Sequence, residues 1–131
     1  MPLQPDSPAV ALARAHAEAW SNHHWDAVRQ MLAPDVHVTS TTTQPFPKPT
    51  DTTGADAYME GLTAFAQAVE PGSAKVLASL GDERNSLIML TVRAALGPGG
   101  PRVTVPAARL ALLDEDNKIK AEQVVFFAVP A

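Results

Sequence analysis

Arg109 lies in a stretch, residues 102–113, whose alternate positions Val103, Val105, Ala107, Ala111 and Leu113 are all apolar. In an extended strand these residues share one face with Arg109. A guanidinium on such a face needs a carboxylate or an anionic ligand, because an unpaired buried charge is strongly disfavoured. The next extended segment offers Glu122, which shares a face with Val124 and Phe126 and returns antiparallel through the turn Asp114-Glu115-Asp116-Asn117. The two side chains are therefore expected to look into one hollow. There Arg109 would orient a carbonyl or carboxylate oxygen while Glu122 or His16 moves a proton. The same pattern also fits a structural ion pair, or an arginine at a dimer interface.

His16 is placed between Ala13 and Ala17, one turn before Trp20, on the inward stripe of a helix. Imidazole titrates near neutrality, so a histidine that reaches the hollow can serve as acid or base. The alternative is a partly buried histidine with a backbone partner. Tyr58, Met59 and Phe65 share the third helix and read as core or wall of the hollow. His23 and His24 fall in a polar break between helices, and His37 points away from Val36 and Val38 along its strand. These histidines have neither the spacing nor the carboxylates for three converging ligands, so no metal is expected. No cofactor is expected either. Aromatic residues make up 5% of the chain, too few to stack a large flat group, and neither a phosphate-binding glycine loop nor a nucleophile elbow occurs.

The elements that must position these residues follow from period and punctuation. Asp6-Ser7-Pro8 supplies capping oxygens and a first-turn proline, after which Val10, Leu12, Ala13, Ala17 and Trp20 recur at helical spacing. Beyond Ser21-Asn22-His23-His24 the period resumes at Trp25, Val28, Met31 and Leu32, and Pro34 ends this second helix. Residues 36–43 are β-branched and alternating, which predicts a strand. Residues 44–53, with Pro45, Pro47 and Pro49, read as a loop. A third helix opens at Thr53-Gly54-Ala55-Asp56 and stops at Pro71-Gly72. Strands are then expected over 75–80, 85–96, 102–113 and 118–129, with Gly97-Pro98-Gly99-Gly100-Pro101 as one hairpin tip. Helices followed by a meander define the α+β class, and 131 residues fit one domain spanning 1–131.

Composition narrows the partners. The net charge is -4, without the clustered lysines and arginines that displace phosphate counterions, so no nucleic acid is expected. No apolar run approaches the roughly 20 residues of a membrane span. The first residues lack the basic patch and apolar core of a secretion signal, and there is no cysteine, so a soluble, cytoplasmic protein is expected.

Trp25-Asp26-Ala27-Val28 through Leu32-Ala33-Pro34-Asp35-Val36, then Gly54-Ala55-Asp56-Ala57-Tyr58, then Leu113-Asp114-Glu115-Asp116-Asn117-Lys118-Ile119 together resemble the nuclear-transport-factor-two-like superfamily. That group includes ketosteroid isomerases, SnoaL-like polyketide cyclases and limonene epoxide hydrolases. The resemblance implies a cone-shaped curved antiparallel sheet with about three helices on its concave face, a deep pocket between them, and a homodimer formed through the sheet's outer face. In the isomerase register His16 stands where a tyrosine donates to the oxyanion. Ser40 stands where an aspartate acts as base, and Arg109 where a protonated aspartic acid completes the oxyanion hole. All three groups have changed, so the isomerase reaction itself is not expected. The resemblance instead implies a SnoaL-like protein that binds a small apolar molecule and carries out acid–base isomerisation, cyclisation or hydration. Its catalytic residues would be His16, Glu122 and Arg109, with Trp20, Ser40, Tyr58 and Phe126 lining the pocket. A non-catalytic dimeric ligand-binding or interaction module is the alternative from another class.

Overall fold

A computed structural model describes residues 6–41, 50–95 and 99–127. The chain forms α1 (Pro8–Ser21), α2 (Trp25–Gln30), β1 (Leu32–Thr41), β2 (Thr50–Thr53), α3 (Ala55–Ala66), β3 (Lys75–Gly81), β4 (Asn85–Ala95), β5 (Arg102–Leu113) and β6 (Ile119–Phe126). All six strands join one curved open sheet in the order β2-β1-β6-β5-β4-β3. The α+β class follows as expected from the helix-first, meander-later order. Neighbours are antiparallel except β1 and β6, which run parallel. The sheet is therefore mixed where a wholly antiparallel one was expected. Parallel neighbours require a long crossover, and α3 with the β3–β5 meander supplies it.

Several boundaries differ from the sequence reading, among them the third helix, which stops at Ala66 and not at Pro71-Gly72. The second helix stops at Gln30, and Pro34 lies inside β1 instead of ending a helix. The β1–β6 register shifts between Leu32 and His37, and β2 pairs with β1 only from His37 onward. Pro34, with no N–H to give a ladder, occupies that irregular stretch. Thr50–Thr53, expected as loop, is a short edge strand, as its β-branched threonines favour. The proline-rich residues 42–49, residues 96–98 of the glycine-rich turn and residues 128–131 of the last expected strand lie outside the described residues.

The helices cover one face of the sheet. Ser7 caps α1 by accepting the Val10 N–H at 3.3 Å, with Pro8 at the first helical position. This helix packs on β3, β4 and β5 through Ala9, Val10, Ala13, His16, Ala17 and Trp20, while α3 packs on β1 and β2. Facing them, Ile88, Leu90, Val92 and Ala94 of β4 and Val105, Ala107, Arg109, Ala111 and Leu113 of β5 are buried at every second position. Burying one side chain of Ile88's size contributes about 1.5–3 kcal/mol. The candidate residues are thus set in a nearly unbroken apolar inner face.

Candidate functional site

Four polar side chains from four elements meet inside this surface: His16 of α1, Tyr58 of α3, Arg109 of β5 and Glu122 of β6. Their exposures are 0%, 4%, 4% and 8%. Strand register brings the charged pair together. Arg109 lies directly opposite Val124, and Glu122 opposite Ala111, so the two charges are diagonal neighbours on the inner face. Arg109 Nε donates to Glu122 Oε2 at 2.8 Å, and Nη2 approaches the same oxygen at 2.7 Å as a charge contact without hydrogen-bond alignment. The pairing inferred from alternation along the two strands is present.

The Tyr58 hydroxyl connects this pair to the helix. It donates to Glu122 Oε2 at 2.7 Å and lies 2.8 Å from His16 Nε2. A phenol has one proton, and a carboxylate can only accept. With that proton given to Glu122, His16 must donate from Nε2, which leaves Nδ1 as a bare acceptor. That nitrogen has no hydrogen-bond partner among the described residues, and neither have Arg109 Nη1 and Nη2. A chain of satisfied bonds therefore ends at one side in an acceptor and at the other in donors.

Burial and neighbouring charges shift three of its members, His16, Tyr58 and Arg109. Burial, reinforced by the nearby Arg109 charge, holds the His16 imidazole well below its usual pKa, so the ring is neutral. Burial and then the Glu122 charge push the Tyr58 hydroxyl well above the phenol range. For Arg109 burial alone acts downward, but Glu122 and then Tyr58 outweigh it and the guanidinium is held above its ordinary value. The Arg109–Glu122 ion pair places one positive and one negative charge in the buried cluster.

Trp20, Phe65 and Phe126 form an aromatic row, with ring centroids 5.9 Å apart from Trp20 to Phe65 and 5.3 Å from Phe65 to Phe126. Ser40 is half-buried on the inner face, in register with Val124. It lies two strands from Arg109, roughly 10 Å at ordinary strand spacing. His37 faces the other side of the sheet and pairs with Asp51 at 2.7 Å. His23 and His24 are exposed, His23 stacking on Trp25. No group of three or more metal-ligating side chains occurs among the described residues, nor any helix long and apolar enough to cross a membrane.

Tyr58 is the residue whose place the sequence reading described incompletely. It was expected as wall, yet its hydroxyl is the centre of the chain. The available signal was its position on the inward stripe of α3: a buried phenol needs a partner, and His16 and Glu122 were the inward polar groups on offer. Two surface recesses, of about 620 and 510 Å³, are lined by residues such as Arg29, Pro34 and Asp56, or Arg14, Glu18 and Lys75. None of the four buried polar residues lines either.

A curved sheet roofed by three helices, with a charged chain buried beneath them, defines an α+β domain of the cystatin-like, nuclear-transport-factor-two-like class. The family model of the SnoaL-like domain matches residues 13–122, and the chain belongs to that family. No curated protein matches the sequence. Among solved structures, a protein of Kribbella flavida is 21% identical with a TM-score of 0.72, the match covering 93% of this chain and 88% of that one. A steroid delta-isomerase from Pseudomonas aeruginosa is 18% identical with a TM-score of 0.65, covering 98% and 85%. SalBIII, an epoxide hydrolase/cyclase-like enzyme in pyran ring formation in the polyether salinomycin, is 16% identical with a TM-score of 0.72, covering 91% and 90%. At these identities the likeness is one of fold.

Proposed function

We propose that this SnoaL-like domain binds a small apolar compound bearing a carbonyl or carboxylate oxygen and moves a proton on it, in an isomerisation, cyclisation or hydration. One observation carries the reading: among the described residues, the buried polar chain ends in a neutral imidazole acceptor, His16 Nδ1, and in the Arg109 Nη1 donor, neither of which has a hydrogen-bond partner. Each buried group left so costs about 1–3 kcal/mol. An oxygen at Arg109 Nη1 and a transferable proton at His16 Nδ1 would satisfy both ends. His16 is then the general base, Arg109 holds the developing negative oxygen, and Glu122 orients Arg109 and Tyr58. Glu122 is already engaged by Arg109 and Tyr58, whereas His16 Nδ1 has no hydrogen-bond partner among the described residues. Ala13 and Ala17 flank His16, and Ala107 and Ala111 flank Arg109, so the chain is bordered by small side chains. Trp20, Phe65, Phe126 and Ser40 would line the remaining wall. The isomerase and the cyclase-like enzyme that share the fold support acid–base chemistry in such a scaffold, though fold alone does not assign it.

Proton abstraction is measurable without the natural substrate. In heavy water, the protein is expected to accelerate exchange of the protons next to the carbonyl of a simple apolar ketone, followed by NMR. His16→Gln and Arg109→Gln should each lose about 10²-fold or more of that acceleration. Exchange at the rate of buffer alone, with wild-type protein and a range of apolar ketones, would remove the catalytic reading.

A second reading, a non-catalytic module, is favoured by enclosure: His16 is fully buried and neither surface recess reaches the chain. In that case the ion pair serves structure alone. A homodimer suits both readings. The outer face of the sheet exposes Leu80 (71%), Leu110 (46%) and Met89 (37%), with Leu80 and Leu110 on either side of Leu87 in one cross-strand row. Analytical ultracentrifugation should give twice the chain mass for wild type and a single chain mass for Leu110→Glu, since a buried charge without a partner opposes the interface. Unchanged association in Leu110→Glu would place the interface elsewhere.

A further inference from the structure

We propose that Tyr58 and Glu122 form a proton relay behind His16, so that a proton taken up at Nδ1 is matched by one delivered from Nε2 through the Tyr58 hydroxyl to Glu122 Oε2. This rests on the preceding reading of His16 as base and Arg109 as the oxygen-binding group. The two hydrogen bonds that would carry it, 2.8 Å between Nε2 and the hydroxyl and 2.7 Å between the hydroxyl and Oε2, are already formed and consecutive.

The step balances without a co-reactant. The substrate's C–H or O–H bond breaks and its electron pair stays on the substrate, as an enolate, phenolate or alkoxide oxygen. An N–H bond forms at His16 Nδ1 while the Nε2–H bond breaks. That second proton bonds to the Tyr58 oxygen, whose own proton passes to Glu122 Oε2. The tyrosine ends as it began, the histidine ends as its other neutral tautomer, and the glutamate ends protonated.

Charge is the reason for this route. Stopping at His16 would leave an imidazolium beside the Arg109 guanidinium in a cluster with nine-tenths or more of every member buried. Carrying the proton on to Glu122 keeps the protein cluster free of a second cation. Arg109 exchanges one anionic partner for another as Glu122 is neutralised and the substrate oxygen becomes negative, so one cation and one anion remain buried throughout. The relay therefore fits substrates whose intermediate is an oxyanion. It does not fit substrates that must become cationic, because a cation would add to Arg109 after the glutamate charge has gone.

The probe is 4-nitrophenol, an oxygen acid whose neutral and ionised forms differ in absorbance. NMR on protein carrying ¹⁵N-histidine and ¹³C-carboxyl glutamate reads both ends of the chain. Wild type is expected to bind the probe as phenolate, with His16 neutral and its proton moved from Nε2 to Nδ1, and with the Glu122 carboxyl protonated. Phenolate bound with an imidazolium at His16 and an ionised Glu122 overturns the relay and leaves the base reading standing. No binding, or binding unchanged in Arg109→Gln, overturns both. Tyr58→Phe removes the link without removing a charge. Its bound probe should be less ionised by roughly tenfold, the equivalent of one pKa unit, and an ionised fraction equal to wild type overturns the relay.

Discussion

Arg109→Ala is expected to lower folding stability by about 3–5 kcal/mol, the range found when one partner of a buried ion pair is removed. The cause is what remains. Glu122, 8% exposed, would keep its charge without a counter-ion or would have to take up a proton. Denaturant titration reads this as a fall in midpoint with an unchanged slope. The double variant Arg109→Met with Glu122→Leu separates structure from function. Replacing both charges by apolar groups of similar size is expected to restore most of the stability, since well-packed substitutes for buried pairs are often neutral or better. The same double variant should bind no oxygen-bearing ligand and should catalyse no proton exchange. If Arg109→Ala instead keeps full ligand binding despite a large loss of stability, the ion pair is structural and the catalytic assignment falls.

Stability should also depend on pH through His16. Its native imidazole is held well below the unfolded value of 6.5 by burial and by Arg109, so the native state refuses a proton that the unfolded chain accepts. When the unfolded state binds more protons, unfolding free energy rises with pH. The contribution is therefore complete above about pH 6.5 and is lost progressively as the pH falls below it, by up to about 1.4 kcal/mol per unit. His16→Gln keeps a donor for the Tyr58 oxygen but cannot titrate, so its stability should be flatter between about pH 6.5 and 5 than that of wild type. Melting curves across this window, taken in parallel, decide the matter. Equal slopes for the two proteins would mean that His16 titrates alike in the folded and unfolded chains.

Both outcomes bear on a site that was partly readable along the chain. Alternation in residues 102–113 and 118–129 put Arg109 and Glu122 on inward faces, because side-chain direction in a strand has a fixed period of two. Helical spacing did the same for His16 and Trp20. The single tyrosine is different. Its stripe on α3 was legible, but its hydroxyl meets His16 across 42 positions of sequence and Glu122 across 64. No local pattern encodes which distant groups a buried phenol will reach.

The same division runs through the whole domain. By itself the sequence determined the class, the cap of the first helix, the long strands and the inward face of each, since these depend on period, turn chemistry and the burial of apolar side chains. Tertiary structure alone decided that β6 lies parallel to β1, that Pro34 sits in a register shift, and that four polar groups close into one chain. Those outcomes depend on where separate elements come to rest against one another. Contacts between remote segments are set by the packing of the whole, and residue spacing within any one segment carries no record of them.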